Sequence, residues 1–106
     1  MQVLAIATAH SGVSADQLSG LTRAEEANSW RLYARGILRQ FYGRNPTQDA
    51  LGAVFIFEVS DLSEARALVS EFPMVRAGLL RADLLELTPF RSFEALFASD
   101  VMGAPQ

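Results

Sequence analysis

The sequence predicts a single α+β domain, an antiparallel four-stranded sheet with two helices on one face. Three observations carry this. Four short stretches rich in Val, Ile, Leu and Phe have the length of strands. Two other stretches free of internal proline repeat their apolar residues three and four apart, the period of a helix. The breaks between them fall at Gly, Pro and the Ser or Asp residues that cap helices, which sets the order β-α-β-β-α-β. A length of 106 residues suits one domain spanning 1–106, with 90–106 as a C-terminal helix and tail. Half the residues are apolar and a fifth charged, enough to bury a core.

Val3–Ala9 is a continuous apolar run, the pattern of a buried strand, and Gly12 breaks it. Ser14 precedes Gln17 by three residues, the spacing of a capping box. A helix follows from Ala15 to about Arg35, with Leu18, Leu21, Ala24, Asn28 and Leu32 at helical spacing. Gly20 is its weak point and Gly36 its stop. Ile37–Arg44 alternates, so Ile37, Arg39 and Phe41 are expected on one face and Leu38, Gln40 and Tyr42 on the other. Asn45–Asp49 has loop residues. Leu51–Val59 is the strongest strand former, and loop-linked strands of this kind pair antiparallel. Asp61 caps the next helix with Glu64 at its third position. Leu62, Ala65, Leu68, Val69 and Phe72 form its apolar stripe, and Pro73 ends it. Leu79–Thr88 is the last strand, although its leucines also permit helix, and Pro89 closes it. Ser92 is placed to cap a short terminal helix carrying Phe93, Leu96 and Phe97.

This order is the ferredoxin-like, split-βαβ arrangement. Both helices lie on one face, yet Phe41, Phe55, Phe57, Leu85 and Leu87 make both faces apolar. Burying the second face in another copy of the chain predicts a homodimer or larger homo-oligomer.

The composition excludes much chemistry. There is no cysteine, hence no disulfide, thiolate metal site or cysteine nucleophile. All nine basic residues are arginine, which removes Schiff-base catalysis and a P-loop lysine. A net charge of −3 gives no basic face for nucleic acid. No stretch approaches the roughly 20 apolar residues of a membrane span. The apolar start Met1–His10 lacks the basic n-region of a secretory leader, so a cytoplasmic protein is expected. With no G-x-G-x-x-G, Walker or nucleophile-elbow pattern, no cofactor is expected.

His10, the sole histidine, follows the first strand and can act as a general base or stand in water as a loop residue. Arg39 is mid-strand, where a charge needs an anionic ligand or an ion pair with Glu58 or Glu86. Glu25, Asn28 and Arg35 share a helical stripe that would bring an acid, an amide and a cation to a pocket if it faced the sheet. Helical charge is ordinarily solvated, so this stripe is expected to face water. Trp30, Tyr33, Phe41 and Tyr42 gather at the helix-to-strand corner, as a cavity wall for a flat organic ligand or as core and subunit contacts. The three phenylalanines of 90–97 are expected to cover a partner subunit.

Gly36–Tyr42 (GILRQFY), Phe55–Ser60 (FIFEVS), Glu64–Phe72 and Glu86–Pro89 (ELTP) are together similar to the muconolactone isomerase family of the dimeric α/β-barrel superfamily. Phe72–Pro89 resembles the YCII-related family, with Phe72 where that family carries an aspartate before proline. The resemblance implies a dimeric α/β barrel and a small cofactor-independent isomerase acting on a small lactone or organic acid. It aligns Arg39 with the family's basic strand position. In that role His10 or Glu25 is the base, Arg39 the anion clamp and Tyr42 or Tyr33 the donor to the developing enolate. Asn28, Trp30, Tyr33, Arg35 and Phe41 would line the substrate site. The superfamily also hosts cofactor-free monooxygenases and cyclases acting on aromatic or polyketide substrates, and non-catalytic ligand-binding or assembly modules.

Overall fold

The first strand, β1 (Gln2–Ala9), forms the middle of the sheet because its residues are apolar on both faces. In the computed structural model, which describes residues 1–44, 51–90, 93 and 97, it is followed by α1 (Ala15–Ser19), α2 (Thr22–Ala34), β2 (Leu38–Gly43), β3 (Gly52–Glu58), α3 (Leu62–Ser70), α4 (Pro73–Arg76) and β4 (Leu80–Leu87). The strand order is β2-β3-β1-β4 and every pairing is antiparallel. This is the predicted ferredoxin-like architecture. The expected loop Asn45–Asp49 lies outside the described residues. Of the expected terminal helix, Phe93 and Phe97 are helical, and Ser92, Leu96 and the tail lie outside the described residues.

Alternation decides which side chains meet the helices. Val3, Ala5 and Ala7 of β1, Phe55 and Phe57 of β3, Leu38 and Leu80 are buried with Leu32, Ala65, Val69 and Phe72 from the helical side. Two alanines at the centre of the sheet leave room for three large rings, and Phe72 packs on Phe55 at 5.0 Å and on Phe57 at 6.1 Å between centroids. On the opposite face, Leu4, Ile6, Val54, Ile56 and Leu87 are half-buried and Leu85 and Tyr42 exposed, and none of the described helices covers them.

The expected alternation of β2 is corrected by a bulge. Leu38 pairs with Phe57 and Gln40 with Ile56, so Arg39 is the extra residue. Leu38 and Phe41 therefore share the helix-facing side, while Gln40 and Tyr42 share the open one. The single helix expected over 15–35 is also broken. The capping box forms as spaced, with the Ser14 N–H donating to Gln17 Oε1 at 2.8 Å and the Gln17 N–H to Ser14 Oγ at 3.3 Å. The helix then stops at Gly20, which costs a helix interior about 1 kcal/mol relative to alanine. It restarts at Thr22. Gly36, at φ +77°, ends α2 as its sequence predicted.

Asp61 caps α3, accepting the Glu64 N–H at 2.8 Å, and the Glu64 carboxylate takes the Ser60 N–H at 2.9 Å. Pro73 ends that helix and also opens α4, a single turn where the sequence suggested a plain connector. Proline suits the first helical position, where an N–H would have no partner.

Gly52 starts β3 at φ +156°, and a Cβ there would lie 1.9 Å from the carbonyl oxygen of Ala7 on the paired strand. Gly52→Ala is therefore expected to cost at least about 1–3 kcal/mol of strain. For a domain of this size each kcal/mol lowers Tm by about 4–8 °C, so thermal denaturation checks it directly. An unchanged Tm would refute the close approach.

Candidate functional site

The buried stripe of α2 is Glu25, Ser29 and Leu32, spaced four and three residues apart. Glu25 is 6% exposed, which corrects the expectation that this part of the stripe faces water. Its burial has a local cause. Phe72 at the N-cap of α4 offers no side-chain acceptor and Pro73 has no N–H, so Met74 carries an early orphan donor of that turn. Glu25 Oε1 accepts it at 3.0 Å. Burial pushes the Glu25 carboxyl above the ordinary glutamate range, and the Met74 N–H pulls it only partway back.

The carboxyl lines a cavity of about 310 Å³ between the helices and one end of the sheet, together with Leu18, Thr22, Phe41, Arg44 and Met74. Arg44 Nη1 donates to Thr8 Oγ1 on β1 at 2.9 Å, and its backbone N–H to the Gly52 carbonyl at 3.1 Å. Next to this cavity runs a groove of about 330 Å³ between α2 and β2, lined by Ser29, Trp30, Tyr33, Leu38 and Phe41. Glu26 and Phe41 border both. The Trp30 and Tyr33 rings lie 5.5 Å apart, and Phe41 packs on the core ring Phe55 at 4.9 Å.

The fold brings Glu25, Trp30, Tyr33 and Phe41 together and separates the other candidates from them. His10 is exposed just past β1, its backbone N–H bonded to the Leu79 carbonyl at 2.9 Å, and it lines neither space. Arg39 sits exposed at the bulge, so it bears no desolvation cost. Neither expected ion pair forms among the described residues, and Glu58 instead holds the N-terminal ammonium at 2.6 Å. Tyr42 projects from the open face, away from Glu25. Asn28 Oδ1 accepts from Arg31 at 3.3 Å, while its Nδ2 is buried and unpaired among the described residues. Arg35 is the exposed C-cap residue of α2.

Ser29, Glu26, Met74 and Arg44 escaped the sequence reading. Ser29 was detectable, standing one helical turn after Glu25, but Met74 needed α4. No group of three or more His, Asp or Glu side chains gathers among the described residues. None of the described helices is long and apolar enough to cross a membrane.

No family model and no curated protein matches the sequence. Among solved structures, the chain is similar to 5-chloro-2-hydroxyhydroquinone dehydrochlorinase (TftG) from Burkholderia phenoliruptrix, with a TM-score of 0.67 over 83% of this chain and 94% of that one. The two share the ferredoxin-like α+β fold, a four-stranded antiparallel sheet with helices on one face. At 20% identity the likeness is one of fold, and it agrees with the architecture implied by the sequence resemblance. In this fold the Glu25 cavity lies between helices and sheet. The solution structure of a hypothetical Arabidopsis thaliana protein is matched at 19% identity over 83% of this chain and 86% of that one, with a TM-score of 0.48.

Proposed function

We propose that the protein is a small cofactor-independent enzyme that moves a proton on a small ring-shaped lactone or related organic acid, with Glu25 as its acid–base group. The observation that supports this most is the buried Glu25 carboxyl on an otherwise largely apolar cavity. A base whose pKa is raised toward the working pH is both present in its active form and strong enough to take a carbon-bound proton. On a β,γ-unsaturated butenolide, Glu25 takes a proton from the carbon next to the carbonyl, leaving a dienolate. The carboxylic acid so formed exchanges its proton with water and delivers one to the γ-carbon, giving the α,β-unsaturated isomer with no net gain or loss of atoms. Arg44 takes the part first given to Arg39, offering a cation to the developing oxyanion or a substrate carboxylate. The similar TftG structure holds 2,5-dihydroxybenzoquinone, a flat oxygenated ring, which agrees with the substrate class.

The test is proton NMR in deuterium oxide with a methyl-substituted β,γ-unsaturated butenolide. Isomerisation with deuterium entering at the γ-carbon, without oxygen uptake, is the expected result. If neither this lactone nor a panel of enolisable lactones exchanges faster than in buffer, the reading falls.

The proposal includes a homodimer, in which the open sheet faces of two protomers cover each other. Leu4, Ile6, Val54, Ile56 and Leu87 supply the apolar centre. Light scattering is expected to give twice the 11.6 kDa chain mass, and Ile56→Arg to return the single-chain mass. A wild-type monomer at micromolar concentration would refute it.

A further inference from the structure

A small lactone reaching Glu25 leaves the neighbouring groove empty, and that groove is an unusual surface. Trp30 is 65% exposed, Tyr33 55% and Phe41 45%, three aromatic side chains left in water side by side. Exposed apolar residues scattered singly need no explanation, whereas a contiguous set marks a binding surface. Phe41 is the shared wall, because its ring borders the Glu25 cavity on one side and the groove on the other. Ser29 lies at the base of the groove, 8% exposed, with its hydroxyl closed off beneath the surface, so the groove wall is nearly all apolar. Such a wall takes a flat apolar group rather than a polar one.

We infer that the groove holds an uncharged aryl extension of the substrate, so that the substrate is an aryl-substituted ring whose small end reaches Glu25. This rests on the proton-transfer reading for the small end only. The aryl group lies against Trp30, Tyr33 and Phe41, where flat rings pack in offset or tilted contact. Glu26 at the border of both spaces is the one acidic residue lining the groove among the described residues, and it disfavours a carboxylate on the aryl group.

Trp30 is the only tryptophan in the chain, so its fluorescence reports on the groove. The probes are the methyl-substituted butenolide, its phenyl counterpart and its carboxyphenyl counterpart, each titrated into wild type and into Glu25→Gln. The phenyl lactone is expected to quench Trp30 and bind at least tenfold tighter than the methyl lactone, in both proteins. Tyr33→Ala, at an exposed position, is expected to remove most of that tenfold advantage. The carboxyphenyl lactone is expected to bind more weakly than the phenyl one, and Glu26→Gln to narrow the gap. Equal affinity for phenyl and methyl lactones, or a phenyl advantage that survives Tyr33→Ala, overturns the inference. Because binding is read without turnover, an inactive protein that still prefers the phenyl lactone would refute the role of Glu25 and uphold the groove.

Discussion

Glu25→Gln is expected to slow lactone isomerisation by about 10²–10⁴-fold, the usual contribution of a positioned acid–base group. The substitution isolates the proton, because a glutamine oxygen can still accept the Met74 N–H that Glu25 now accepts at 3.0 Å. A carboxyl present only to satisfy the first turn of α4 would lose little when changed to the amide. A carboxyl that carries a proton between two carbons loses nearly everything. Comparison of kcat/KM for the two proteins decides between them, and a loss of less than about tenfold would reduce Glu25 to its structural role.

The same residue links stability to pH. Its carboxyl is raised in the folded chain by burial, so the native state binds more protons than the unfolded one between the ordinary glutamate pKa and the raised value. Stability contributed by this group is therefore full below the unfolded pKa and falls as pH rises through the folded one. Glu25→Gln removes that fall. The variant is expected to gain in Tm on wild type as pH rises through this window, while its activity is lost. The wild-type rate should rise with pH along the same limb, as the base form appears. An increase in stability that accompanies a loss of activity is the signature of a group kept at a cost to the fold.

The sequence revealed most of what local chemistry decides. Ser14 with Gln17, Asp61 with Glu64, and Gly36 are signals contained within a few residues, and each marks its helix end where expected. The paired strands followed from apolar runs and alternation of strand length, although the leucines of 79–88 also permitted helix. What escaped depends on contacts distant in sequence. Leu38 faces the helices because it pairs with Phe57, and the bulge at Arg39 follows from that pairing rather than from the alternating pattern. Glu25 is buried because α4, 49 residues further on, presents an N–H to it. A helical carboxylate read alone belongs in water. The misplacement of Arg39 and the missed burial of Glu25 thus have one origin, a contact with a residue distant in sequence, and the second falls at the candidate site. The groove was half legible, since Trp30, Tyr33 and Phe41 cluster in sequence, but Tyr42 lies on the other face by the parity of a single residue.

Phe72→Ala is expected to destabilise the protein by about 3–5 kcal/mol, the cost of removing a large aromatic side chain from a core. Phe72 is wholly buried and touches both Phe55 and Phe57, so no solvent-facing neighbour can relax into the space. Domains of this size have only about 5–15 kcal/mol to lose, and a Tm lowered by at least about 12 °C should follow. A fall of less than about 4 °C would show that the core closes over the gap. The effect should reach the site as well. Phe72 precedes α4, and its carbonyl accepts the Arg76 N–H at 2.8 Å, so it anchors the turn that presents Met74 to Glu25. Phe72→Leu keeps most of the packing yet loosens that anchor. It is expected to fold, to lose less stability than the alanine variant, and to shift the rising limb of the pH–rate profile to higher pH, because a buried carboxylate with a weaker hydrogen bond is harder to ionise. An unshifted limb in a folded Phe72→Leu protein would mean that α4 holds Glu25 independently of the aromatic core. The aromatic position before Pro73 would then serve packing alone.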